Sequence, residues 1–290
     1  MAETKILSEE INVMSKILVT TDFSDNSKTG ICFAIQLASQ AGYELIFYNA
    51  IKLLKPTSWS PDRYKKYVAS EIEQHQNKLE QFISVICKKN NFSPVKYKCV
   101  SEIGIGFESQ LALYAKKIKA DFICISTKGA GNIEKLFGTN ASAIITTSAV
   151  PVLVVPHSYR TKPIATVWYA SDLQNLEKEL KTIGKFANPL KAKIEVIHYD
   201  YPVHLEDYKT KFRKIQSKYS SENIQLQFKK LDIEYSLTHH IQRDIKKSKP
   251  SLMVLFTKQN RNWFDRLFLS SQAAELSFDT KIPMLVFRKT

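Results

Sequence analysis

The chain has 290 residues, 44% hydrophobic and 24% charged, the balance of a soluble globular protein with material for one large domain or two of ordinary size. No apolar run approaches the roughly 20 residues that cross a bilayer, the opening MAETKILSEEINVM lacks the apolar core of a signal peptide, and the four cysteines include no CxxC pair, so a membrane role and a disulfide or zinc framework are excluded and a cytoplasmic location is expected. The net charge is +14, with Lys and Arg exceeding Asp and Glu by 4 in residues 1–156 and by 10 in residues 157–290; the excess is scattered along helical stretches as solvated faces, which argues against nucleic acid as the partner.

Residues 1–14 precede the first structural signal and read as an N-terminal extension. Lys16 to Thr21 is a short apolar strand with Asp22 at its end. Ser24 is a fair N-cap for a helix running to about Gln40, with Ile31, Ala34, Ile35 and Ala38 on one face and Gly42 as its stop. Glu44 to Ile51 is a second strand. Tyr64 to about Lys89 is a long amphipathic helix, with Ile72, Leu79, Phe82, Ile83 and Ile86 inward. Val95 to Val100 alternates as a third strand, Gly104 and Gly106 make a turn, and Phe107 to Lys119 is a third helix. Strands alternating with helices predict β-α-β units and a parallel sheet covered on both faces.

Phe122 to Ile125 is a fourth, buried strand. Gly129, Gly131 and Gly138 follow within ten residues in a chain with only 8 glycines, and Gly138-Thr139-Asn140 opens a segment that can be helical before Pro151 and the strand Val152 to Val155. A glycine loop lets a ligand approach the main chain, and a helix start beyond it aims free N–H groups at an anion. Thr139 and Asn140 can add donors and Lys128 a cation. The GxxxxGK[ST] phosphate loop is absent, as are a GxSxG elbow and metal-ligand spacing among the six histidines and four cysteines.

This stretch resembles the universal stress protein family, whose ATP-binding members carry G-x2-G-x9-G-[ST] between the fourth strand and fourth helix, followed by a PVLVV final strand. The matching residues are Ser126-Thr127-Lys128-Gly129, Gly138-Thr139 and Pro151 to Val155. There are two departures: the first glycine is Ser126, and eight residues (Ala130 to Phe137) separate Gly129 from Gly138, one fewer than the pattern. The resemblance implies that strands one and four are adjacent and open onto one crevice. There Asp22 would meet the adenine end of a nucleotide, Ala50 would line the base, and Thr20, Ser126, Thr127, Lys128, Gly129, Gly138, Thr139 and Asn140 would complete the pocket. Read from the residues alone, Asp22 is a turn or helix cap.

The cycle then repeats. Ile164 to Ala170 is a strand ending at Asp172, Leu173 to Asn188 a helix, Lys193 to Tyr199 a strand, His204 to Tyr219 a helix, Ile224 to Lys230 a strand, Tyr235 to Lys247 a helix and Ser251 to Phe256 a strand. Lys281 to Phe287 mirrors Ala149 to Val155. Seven of the 8 glycines lie in the first copy. The second places Trp263, Phe264 and Phe268 where the first has its glycine loop, so it reads as a non-binding copy. The expected architecture is α/β: two tandem doubly wound domains, 15–158 and 159–290, Rossmann-like in the manner of the adenine nucleotide alpha hydrolases, each with a five-stranded parallel sheet, packed as a pseudo-dimer. The expected function is a stress-response protein that binds ATP, with Mg2+ as its companion, in the first domain and is not an enzyme, although slow ATP hydrolysis stays open. The alternative is a protein-interaction module of the same fold that binds no nucleotide. Self-association through the last strands and an unidentified signalling protein complete the expected partners.

Overall fold

The computed structural model describes residues 15–104, 106–127, 139–200, 210, 213–218, 223–256 and 281–288. The first half runs β1 (Lys16–Thr20), α1 (Asp25–Ala41), β2 (Glu44–Ile51), α2 (Pro61–Lys89), β3 (Tyr97–Ile103), α3 (Phe107–Lys117), β4 (Phe122–Ser126), α4 (Thr139–Thr147) and β5 (Val152–Val155). The second half runs β6 (Thr166–Ala170), α5 (Leu176–Ala187), β7 (Lys193–Asp200), β8 (Ile224–Lys230), α6 (Leu237–Ser248), β9 (Leu252–Phe256) and β10 (Met284–Phe287). The helix expected at 204–219 lies largely outside the described residues, and so do Thr257-Lys258 and Gln259 to Ser271.

All ten strands form one sheet in the order β3-β2-β1-β4-β5-β10-β9-β6-β7-β8. Within each half every pairing is parallel. The halves meet at β5 and β10, which pair antiparallel with Leu153 opposite Leu285. An antiparallel seam between two parallel five-stranded sheets is what a two-fold axis through that seam produces, so the chain is the pseudo-dimer its repeat predicts. Both last strands have neighbours on each side. Within the chain these two strands pair with each other.

Strand alternation divides the core into two layers. Ile17 and Val19 point to the side covered by α1, α2 and α5, and Leu18 points to the side covered by α3, α4 and α6. Each layer runs through both halves, so burial of the apolar faces ties the halves together. Polar contacts add to this on the α1 side. Gln40 donates to the carbonyls of Ile164 and Leu190, both at 2.8 Å, and accepts from the Ile164 amide at 2.9 Å. Phe186 packs edge-on against Phe122 at 5.4 Å.

Element ends follow local chemistry. Ser24 caps α1 by accepting from the Ser27 amide, and Gly42 closes it in the left-handed conformation at φ 72°. The α2 helix begins three residues earlier than expected, because Ser60 caps it and Pro61 occupies its first turn, where a missing N–H costs nothing. The β3 strand continues three residues past Val100. Gln76 of α2 donates to the Cys99 carbonyl and accepts from the Ser101 amide, which lends this edge strand partners it would otherwise lack. No described helix is long and apolar enough to cross a membrane.

Candidate functional site

The chain between β1 and α1 makes a sharp turn. Phe23 sits at φ 63°, a left-handed conformation that costs a bulky residue about 1–2 kcal/mol. Its ring is held edge-on to Phe82 at 5.6 Å, with the Lys78 ammonium 4.4 Å from its centroid. The turn closes with two side-chain caps. Thr21 Oγ1 accepts from the Phe23 amide at 3.0 Å, and Asp22 Oδ1 accepts from the Ser24 amide at 3.0 Å and the Ser24 hydroxyl at 2.5 Å. Asp22 is thus the turn former that its sequence position suggests, and it also stays exposed at the mouth of a cavity.

That cavity, of about 330 Å³, lies at the carboxyl ends of β1, β2 and β4, where the strand order reverses and α/β sheets hold ligands. It has two unlike walls. Ala50, Phe107, Ile125, Ala141 and Ile144 form an apolar one; Thr20, Thr21, Asp22, Ser24, Asn26, Ser27, Asn49, Ser126 and Thr127 form a polar one. Asp22 is the only ionisable group among these described residues. The volume is at the low end of the range for small-molecule pockets, about 300–1,000 Å³.

Of the residues picked out from sequence, Thr20, Asp22, Ala50, Ser126 and Thr127 come together around this cavity. Lys128, Gly129 and Gly138 lie outside the described residues. Thr139 and Asn140 open α4, whose Ala141 and Ile144 line the cavity. Ser126, which stands where the family pattern has glycine, turns its hydroxyl toward α1: Oγ accepts from the Gly30 amide at 2.8 Å and donates to the Ser27 carbonyl at 3.5 Å. Cys124 beneath it is fully buried, and that burial pushes its thiol well above the usual range, so it offers no nucleophile. No group of metal-ligating side chains occurs among the described residues.

Sequence reading missed Asn49. Its signal was a single amide in the apolar strand ELIFYNAI, next to Ala50. Asn49 is 4% exposed. Its Nδ2 donates to the Thr21 carbonyl at 2.9 Å, and its Oδ1 meets Nδ1 of His75 at 2.9 Å.

Pairing register identifies the counterparts in the second half. Thr20 pairs with Tyr48 as Ala170 pairs with Ile197, so Asn49 corresponds to His198 and Ala50 to Tyr199, while Ser126 corresponds to Phe256. The turn chemistry is kept: Leu173 has φ 63°, Ser171 Oγ accepts from its amide, and Asp172 accepts from the Gln174 amide. The space is not. Tyr199 places a phenol where the first half has the methyl of Ala50. Its ring lies edge-on to Trp168 at 6.5 Å, and its hydroxyl donates to Asp244 Oδ2 at 2.9 Å. Phe256 stacks on Phe287 at 5.1 Å.

Residues 14–156 match the universal stress protein family. No curated protein matches the chain in sequence. Among solved structures, a universal stress protein from Archaeoglobus fulgidus DSM 4304 is 16% identical, with 94% of this chain and 96% of that chain covered and a TM-score of 0.67. A functionally unknown protein from Pseudomonas aeruginosa PAO1 is 14% identical over 95% and 93% of the two chains, at a TM-score of 0.57. Both likenesses extend over the two halves together and concern the fold.

Proposed function

This chain belongs to the universal stress protein family, and we propose that its first half binds one adenine nucleotide, ATP in the first instance, while the second half binds none. The observation that carries this reading is the cavity with one apolar and one polar wall at the crossing of β1 and β4. The base fits between Ala50, Ile125 and Ile144, and the ribose faces Thr20, the Asp22 carboxylate, Ser24 and Asn26. Asp22 repels phosphate, so the triphosphate runs away from it toward Thr127 and the start of α4, where helix N–H groups favour an anion. Any Mg2+ would ride on phosphate oxygens, since Asp22 is the one carboxylate among the described lining residues. Micromolar affinity requires about −8 kcal/mol, a sum within reach of base burial and several phosphate contacts. The proposed role is binding, with slow hydrolysis left open.

A second reading is favoured by one observation. The Ser126 hydroxyl is committed to α1, and the loop beyond it is one residue short of the family pattern, as expected of a family member that has given up nucleotide and works through protein contacts. Purification without added nucleotide, denaturation and chromatography of the released material separates the two. One ATP per chain is expected. No nucleotide, followed by no binding on titration, would replace the first reading with the second.

A further inference from the structure

Asn49 is the polar group most deeply set in the cavity wall, and its orientation follows from its neighbours. The Thr21 carbonyl can only accept, so the Asn49 atom 2.9 Å from it is the amide nitrogen. The amide oxygen then faces His75 and can only accept, so Nδ1 of His75 carries its proton. The Nε2 side of the ring faces Glu71, 4.0 Å away. Each assignment forces the next, from Thr21 on the cavity rim through Asn49 to a helix that supplies no lining residue of its own.

The second half offers an internal comparison. His198 occupies the place of Asn49, and its Nδ1 bonds the carbonyl of Ser171, the counterpart of Thr21. Both halves therefore satisfy this strand-end carbonyl from the neighbouring strand. Only the first half does so with an amide, which has a second N–H to give, and there Asn49 lines a cavity.

From this geometry, and resting on the nucleotide reading above, we propose that His75 is a positioning residue for the site: it locks the Asn49 amide with its nitrogen toward β1, so that the second N–H of Asn49 is presented to the ligand as a donor. The site then selects a ligand whose facing atom is a hydrogen-bond acceptor, such as an unprotonated ring nitrogen or a ribose oxygen. An exocyclic amino group at that point would meet a donor and be rejected. His75 acts only through Asn49. Without its N–H the buried Oδ1 loses its partner, and the amide gains by rotating toward any other donor, which takes the cavity donor away.

The test uses the full chain, with ATP as the probe and the Asn49 side-chain amide followed by 15N-resolved NMR, its signals assigned by their loss in Asn49→Ser. His75→Leu keeps an apolar body against Phe23 but has no donor; His75→Gln restores an N–H. In wild type the Asn49 amide protons should exchange slowly with solvent. In His75→Leu they should shift and exchange at least tenfold faster, and ATP should bind about five- to tenfold more weakly, while the melting temperature serves as the control for general damage. His75→Gln should restore both readouts. An Asn49 amide unchanged in His75→Leu, or a loss that His75→Gln does not recover, would overturn the positioning role. Absence of ATP binding in wild type would overturn the nucleotide reading instead, and the amide exchange would still decide whether His75 sets Asn49.

Discussion

Gly30 lets α1 approach β4 closely at Ser126, and it gives a quantitative test of how the site floor is built. A Cβ at position 30 would lie 2.5 Å from Ser126 Oγ, well inside van der Waals contact, and that same oxygen accepts from the Gly30 amide at 2.8 Å. In Gly30→Ala the Ser126 hydroxyl must swing away. Overpacking costs about 1–3 kcal/mol and the lost hydrogen bond about 1 kcal/mol, against about 1 kcal/mol gained from replacing a mid-helix glycine by alanine. The net expectation is a destabilisation of about 1–3 kcal/mol. Ser126→Gly alone loses the hydrogen bond and adds a flexible residue, a cost of about 1.5–2 kcal/mol. In the double variant the new methyl enters the space that the hydroxyl leaves, so the overpacking cost vanishes and the helix gain remains. The double variant should therefore be less destabilised than the sum of the singles by about 2–4 kcal/mol. Urea unfolding of the four proteins, with the slope checked for constancy, measures this coupling. Additivity within 0.5 kcal/mol would show that residues 30 and 126 do not share one contact, and would refute the account of why Ser126 turns away from the cavity.

Ala50→Tyr copies the second half's solution into the first and should abolish ATP binding in calorimetry with little change in melting temperature; retained affinity would place the base elsewhere. Asp22→Ala should weaken ATP binding and, by opening the turn before α1, cost about 0.5–2 kcal/mol of stability, read by the same calorimetry and by urea unfolding. Gln40→Ala removes three hydrogen bonds between the halves and should destabilise by about 1–3 kcal/mol; a change below 0.5 kcal/mol on urea unfolding would make the polar contacts at this seam dispensable. Burial raises the thiols of Cys32 and Cys87 and, with Glu80 and Cys87 nearby, lifts Cys99 to about 12 from an ordinary 9.0. A raised thiol favours the neutral form in the folded chain, so its contribution to stability is complete below pH 9 and is lost as the pH climbs toward 12. Unfolding midpoints should hold between pH 7 and 8.5 and fall above pH 9, and alkylation of the native protein at pH 8 should be far slower than of the denatured chain.

Much of the fold is legible because local signals and tertiary packing agree. The β2 strand occupies Glu44 to Ile51 as its apolar run predicts, Ser24 and Gly42 bound α1, and the repeat of Pro151-Val152-Leu153-Val154 in Pro283-Met284-Leu285-Val286 announces the pseudo-two-fold seam. Tertiary contacts override local preference elsewhere. Phe23 and Leu173 adopt a left-handed conformation that bulky residues avoid, and nothing in their sequence neighbourhood predicts it. For the candidate site, the residues at strand ends were readable because strand ends are where such sheets keep their ligands. Asn49 and His75 were not, since their pairing spans 26 positions and each has an ordinary reading by itself, a polar residue in a strand and a histidine on a helix. The second half was expected to bind nothing from the aromatic residues at 263, 264 and 268, which lie outside the described residues; Tyr199 and Phe256 pass for core residues until the register aligns them with Ala50 and Ser126.

The most direct measurement is a calorimetric titration of the purified, nucleotide-free chain with ATP. The account predicts a single saturable site, one ATP per chain, eliminated by Ala50→Tyr and untouched by Tyr199→Phe. Two sites per chain would show that the second half is open after all, and the absence of any binding would contradict the nucleotide site itself.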